Sequence, residues 1–164
     1  MTEQRVVIIG VGNPWRGDDG AGWVAADLAA ARLSPGADIV HSDGEPARLI
    51  DAWEDADLAI VVDAVHSGAA SGRIHRLDAA GVVARPASRP TGSHALGVVD
   101  AVRLGAAVGR LPRRLVVFGI EVADTGPGRG LTPDVARAAQ TVAHSIEHEA
   151  GTSRPGRLGG FRDA

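Results

Sequence analysis

Three long apolar runs frame this chain: Val6-Val7-Ile8-Ile9, Leu58-Ala59-Ile60-Val61-Val62 and Leu115-Val116-Val117-Phe118-Gly119-Ile120. Each is bounded by polar or glycine residues and is too short for a helix, so each reads as a buried strand. Asp38-Ile39-Val40-His41 predicts a shorter strand, and Arg73-Ile74-His75-Arg76-Leu77 alternates as a half-exposed strand does. Between these runs, apolar residues recur at helical spacing. Val24, Leu28 and Ala31 predict a helix over Gly20 to Leu33, stopped by Ser34-Pro35-Gly36. Leu49, Ile50 and Trp53 predict a second helix, opened by Pro46 where a missing N–H is harmless. Ala95, Val98, Val99, Val102 and Ala106 predict a third, with Ser93 as N-cap and His94 in its first turn. Thr132-Pro133 opens the last as N-cap and first residue, with Val135, Ala139, Val142 and Ile146 as its buried stripe. Gly81 to Gly92 carries two prolines and little periodicity and reads as a long loop.

Strands alternating with helices specify a mostly parallel sheet covered on both faces, a three-layer α/β sandwich of about five strands. A single domain over residues 1–150 is expected. The Gly-, Arg-, Ser- and Pro-rich stretch 151–164 reads as a flexible tail.

Composition narrows the function classes. The net charge of −3 and the absence of a basic run argue against a nucleic-acid partner. No apolar stretch approaches membrane-spanning length and no signal peptide is evident, so a cytoplasmic protein without membrane insertion is expected. Zero cysteine excludes disulfides, thiolate metal sites and a cysteine nucleophile. Aromatic residues amount to 3% with no tyrosine, which leaves little for a base-stacking site.

The chemistry concentrates in the loop after the first strand, Gly10-Val11-Gly12-Asn13-Pro14-Trp15-Arg16-Gly17-Asp18-Asp19-Gly20-Ala21-Gly22. A dinucleotide fingerprint fails because Trp15 stands where a third glycine belongs, and two acids would repel a pyrophosphate. A Walker loop fails because the chain contains no lysine; all 17 basic residues are arginine. In a doubly wound sheet, Asp19 after the first strand and Asp63 at the end of Leu58–Val62 share the carboxyl-end rim where such folds place ligands. His94 reaches that rim from the loop before its helix. Two carboxylates and an imidazole form a three-ligand metal set with open positions, suited to zinc, nickel or manganese. Alternatively, Asp19 and Asp63 share a proton as a carboxylate dyad. Each residue also has an ordinary structural explanation: Asp18 or Asp19 as a helix cap, Asp63 as a turn former, His94 as a surface residue.

Secondary candidates are weaker. His66 is a reserve ligand beside Asp63. His144 and His148 stand four apart but read as the solvent face of the last helix, and Glu147 is misplaced for a zinc-peptidase motif. His41 and His75 read as structural or exposed, and Glu121, at the end of the last strand on the suspected rim, as a turn acid, with a supporting role behind the site as the alternative. Ser93 lacks the elbow motif of a nucleophile.

Four ordered blocks carry a family resemblance: Gly10-Val11-Gly12-Asn13 through Asp18-Asp19-Gly20-Ala21-Gly22; Val62-Asp63-Ala64; Ser93-His94-Ala95-Leu96-Gly97; and Gly130-Leu131-Thr132-Pro133. With them the chain resembles the hydrogenase maturation proteases, endopeptidases that trim the C-terminus of the large subunit of nickel–iron hydrogenases. The resemblance implies a phosphorylase/hydrolase-like fold and a site of Asp19, Asp63 and His94. Asp19 and Asp63 are then the catalytic carboxylates, and all three contact metal. It further implies that Asp43, Gly44 and Glu45 help recognise substrate, although this stretch matches only some subgroups. The implied partner is the hydrogenase large-subunit precursor, met by a monomer, with nickel carried by that substrate and zinc or cadmium as in vitro stand-ins. Nickel then serves as catalyst or as docking signal. Two other readings stand beside it: a different metal-dependent peptidase or amidohydrolase on this fold, and a non-catalytic hydrogenase-assembly chaperone.

Overall fold

A computed structural model describes residues 4–33, 35–86 and 97–152. Strands β1 (Val6–Val11), β2 (Asp38–Ser42), β3 (Leu58–Val65), β4 (Ile74–Asp78) and β5 (Arg114–Glu121) form one sheet in the order β2-β1-β3-β5-β4. All neighbours are parallel except the edge strand β4, which runs antiparallel to β5. The helices are α1 (Ala21–Leu33), α2 (Pro46–Trp53), α3 (Ala79–Ala84), α4 (Gly97–Val108) and α5 (Pro133–Thr152).

The central strands are apolar without interruption because each residue has a helix layer to face. Ile8, Ile60, Val116 and Phe118 pack in one core with α1 and α5. Their neighbours Val7, Ile9, Val61 and Val117 join the other with α2, α3 and α4. The expected three-layer sandwich is the architecture found. Among the described residues no helix is long and apolar enough to cross a membrane.

Three local expectations are corrected. First, α1 does not bury the side carrying Val24, Leu28 and Ala31. Val24 and Ala31 are exposed and Leu28 is half-buried, while Ala21, Gly22, Ala25, Ala26 and Ala29 are buried. This helix lies against β1, β3 and α5. Small side chains let the backbones approach, so apolar size misleads about which face is inward. Ala25→Leu is therefore expected to cost about 1–3 kcal/mol by overpacking. Val24→Ala should change stability by no more than about 0.5 kcal/mol. Urea unfolding of both variants checks this; equal costs would contradict the assignment.

Second, part of the expected loop at 81–92 is helical. Asp78 caps α3, its carboxylate accepting from Gly81 N at 2.7 Å. The β-branched Val82 and Val83 and the glycine masked a helix that the cap specifies. Third, α4 buries Val98, Ala101, Val102 and Gly105 and exposes Ala106. Gly105 leaves room for Leu111 and for Trp53, whose indole N–H donates to the Arg110 carbonyl at 2.9 Å. α5 starts at Pro133 with Thr132 in the N-cap position, its carbonyl accepting from Ala136 N at 2.9 Å, and buries its expected stripe; the Thr132 hydroxyl donates to Asp18. Ser93, His94 and Ala95 lie outside the described residues, as do 153–164 of the expected tail.

Candidate active site

β1 and β3 are parallel neighbours, with Gly10 opposite Val62, so the chain leaves both strands at the same rim. From β1 it passes through a loop and a single 3₁₀ turn, Gly17–Gly20, directly into α1. Two glycines make that path possible. Gly12 adopts φ 144° with the Asp19 carbonyl packed against it, where any Cβ would collide. A Cβ at Gly22 would meet the carbonyl oxygens of both Val11 and Val62, so its absence seats α1 against the ends of both strands.

The adjacent acids do different work. Asp18 is fully buried and holds the loop. Its carboxylate accepts from Thr132 N at 2.7 Å, the Thr132 hydroxyl at 3.0 Å and Asp124 N at 3.2 Å. Its own N–H donates to the Asp124 carbonyl at 2.8 Å. These bonds go to the 124–132 loop and not to the helix start, which removes Asp18 as an α1 cap. Among the described residues the Asp19 carboxylate accepts only from Asn13 N, at 3.1 Å, and Asp19 keeps 9% of its surface accessible.

Asp63 continues β3 one residue past the Gly10–Val62 pair and is 7% exposed. Burial pushes its carboxyl well above the ordinary carboxylate range, and the Asp19 charge pushes it further; a backbone hydrogen bond at Ala64 opposes both. The two acids are thus electrostatic neighbours in a poorly solvated place. Both keep an accessible edge at the rim, where carboxylate oxygens are the donors a hard or borderline cation takes.

His94 lies outside the described residues, and among the described residues no three-residue metal cluster forms. His66 is exposed beside Asp63. His144 and His148 are exposed on α5 as expected. The Asp43-Gly44-Glu45 turn follows β2 on the same rim, and Gly44 packs so closely on Gly97 at the start of α4 that a Cβ there would collide. Glu45 caps α2, accepting from Ala47 N at 3.1 Å and Arg48 N at 2.9 Å. Asp43 accepts from Glu45 N at 3.2 Å and is otherwise exposed, within reach of Arg48.

Glu121 is the residue that sequence reasoning undervalued. It is not a turn acid but a 1%-exposed carboxylate closing β5. It accepts from Ser67 N at 3.1 Å, from the Ser67 hydroxyl, and pairs with His75 Nε2 at 2.8 Å. The available signal was an acid at the end of a wholly apolar strand. Burial raises its pKa, but the Ser67 and His75 contacts outweigh that and hold it below the usual glutamate value of 4.5. A depressed carboxylate contributes stability that is complete above the unfolded-state value and lost as pH falls through the folded-state value. Glu121→Gln should therefore lose less stability than wild type as pH falls through and below the usual glutamate value of 4.5. Thermal melts over that fall in pH check it, and equal slopes would contradict it.

A mostly parallel three-layer α/β sheet with two nearly buried carboxylates at its carboxyl-end rim offers the acid–base groups that a hydrolase uses. Comparison with known proteins gives the family. A family model for hydrogenase maturation protease, HycI, matches residues 24–149. Among solved structures, the hydrogenase maturating endopeptidase HybD from E. coli superimposes with a TM-score of 0.76 at 22% identity, over 92% of this chain and 94% of that one. The [NiFe] hydrogenase maturation protease HybD from Thermococcus kodakarensis gives a TM-score of 0.73 at 23% identity, over 90% and 99%. HycI from Thermococcus kodakarensis KOD1 gives 0.65 at 22%, over 90% and 93%. At such identities these likenesses carry the fold. No match was found among curated proteins. The chain belongs to the hydrogenase maturation protease family and is a hydrolase acting on peptide bonds. The glycine-rich loop with Asp18 and Asp19 precedes the matched range, whereas Asp63 falls within it.

Proposed function

We propose that this protein removes the C-terminal extension of a nickel–iron hydrogenase large-subunit precursor after nickel insertion, reading the precursor's nickel as its recognition signal. The observation that carries the reading is the coupled pair Asp19 and Asp63 on one rim, each nearly buried yet with an accessible edge. Nickel is here part of the substrate. Two carboxylate oxygens, with His94 proposed as a third donor, form a partial set that a metal already held by the precursor can complete. Zinc or cadmium would suit the same donors in vitro.

In the hydrolysis, water adds to the scissile carbonyl carbon, the C–N bond breaks, and a carboxylate and an amine are released. One carboxylate of the pair accepts the proton of the attacking water. The other, held protonated by burial, gives its proton to the leaving nitrogen. Asp63 fits the donor role, because burial keeps its proton on to higher pH than usual. Asp19 fits the acceptor role. Asp43, Gly44 and Glu45 flank the rim, and the exposed Asp43 and Glu45 would meet substrate on either side of the buried Gly44. The reading places the enzyme in the cytoplasm as a monomer.

Short peptides spanning a precursor cleavage junction, incubated with the protein with and without added zinc, test the substrate-borne signal. They should not be turned over. Zinc-stimulated cleavage of such peptides would instead favour a peptidase with a resident metal.

A further inference from the structure

Beside Asp63 lies a cavity of about 420 Å³, bounded by the ends of β3, β4 and β5 and by α3 and α4. Its floor is aliphatic: Val82, Val98 and Val117 are buried there, with Leu77 and Val99 half-buried around them. One wall is fixed, because the lining residues Ser67 and His75 are both tied to Glu121. Arg85 and Arg103 also line it. Arg103 is anchored by donating to the Arg85 carbonyl at 2.6 Å, and the Arg85 guanidinium has no partner among the described residues. Among the described residues Asp100 is the one lining acid besides Asp63.

We infer that this cavity is a specificity subsite for the precursor, taking an aliphatic side chain next to the scissile bond and a carboxylate of the same segment at Arg85 and Arg103. The inference rests on the proteolytic reading above and deepens it. A preformed apolar cleft with a few fixed polar groups is the make-up of a recognition pocket. Its continuity with Asp63 makes its occupant the chain being cut. Guanidinium groups select carboxylates by charge and by their planar array of donors. Within an extended peptide, residues adjoining the scissile bond would fill the floor while an acidic side chain nearby reaches the arginines. An apolar side chain alone would leave Arg85 without a counter-charge, and an acidic one alone would leave the valine floor bare.

The test uses the full chain and nickel-loaded large-subunit precursor. Arg85→Glu combined with Arg103→Glu should raise KM about tenfold or more with kcat changed less than about twofold, the pattern of lost uniform binding. Val99→Trp, which fills the cavity, should do the same. Precursors in which each acidic residue near the junction is replaced in turn by Arg should include one that restores KM for the charge-reversed enzyme and impairs the wild type. Unaltered melting temperatures show that the variants fold. Should Val99→Trp misfold, the charge reversal at the exposed Arg85 still decides. Efficient wild-type cleavage with unchanged KM in the variants would overturn the subsite. Absence of any cleavage by the wild type would overturn the parent reading itself, and the subsite with it.

Discussion

Asp63→Asn should slow precursor cleavage by about 10²–10⁴-fold, the usual share of a general acid or base, while the protein stays folded or becomes more stable. The two halves of this expectation have one cause. Burial and the Asp19 charge raise the Asp63 pKa, so the folded protein binds that proton more tightly than the unfolded chain does. A raised carboxylate contributes least to stability at high pH: its effect turns unfavourable as pH rises from the ordinary carboxylate value through the folded value. An amide of the same shape removes the ionisation and with it the penalty. The Asp63→Asn melting temperature at pH 7 and above should therefore equal or exceed that of wild type, a trade of stability for function. Precursor cleavage measured alongside thermal melts checks both halves. A variant that cleaves normally would move the acid–base chemistry away from Asp63.

The second large effect falls on Asp18. Asp18→Ala leaves the N–H groups of Asp124 and Thr132 without their carboxylate acceptor in a part-buried place. It should cost about 2 kcal/mol in urea unfolding, since each of the two part-buried hydrogen bonds lost contributes about 1 kcal/mol. Thr132→Val removes only the hydroxyl contact and should cost about 1 kcal/mol. Activity should fall with Asp18→Ala as well, because the loop it holds carries Asp19 on the next residue. A cost below about 1 kcal/mol would mean that the glycine-rich loop is held by its backbone bonds to the 124–132 loop alone.

The layers of this fold were legible wherever apolar character was strong. Leu58–Val62 and Leu115–Ile120 gave their strands directly, and the rim position of Asp19 and Asp63 followed from strand alternation without any family knowledge. What sequence could not show was tertiary in origin. The face of α1 turned on how closely two backbones approach, a choice for alanine that hydrophobic size conceals. The Gly105 side of α4 was set by the bulk of Trp53 on another helix. The division of labour between Asp18 and Asp19 depends on a loop more than a hundred residues away, which supplies donors to one acid and none to its neighbour. Glu121 looked like a turn residue until Ser67 and His75 came to meet it from two other strand ends. His94 remains an expectation from the sequence, outside the described residues.

The most direct test of the account is the intact mass of a hydrogenase large-subunit precursor incubated with the wild-type protein, before and after nickel loading. The account predicts a single C-terminal truncation of the nickel-loaded precursor, abolished by Asp19→Ala, Asp63→Ala and His94→Ala, and no change in the nickel-free form. Equal truncation of the nickel-free precursor, or truncation that survives all three substitutions, would contradict it.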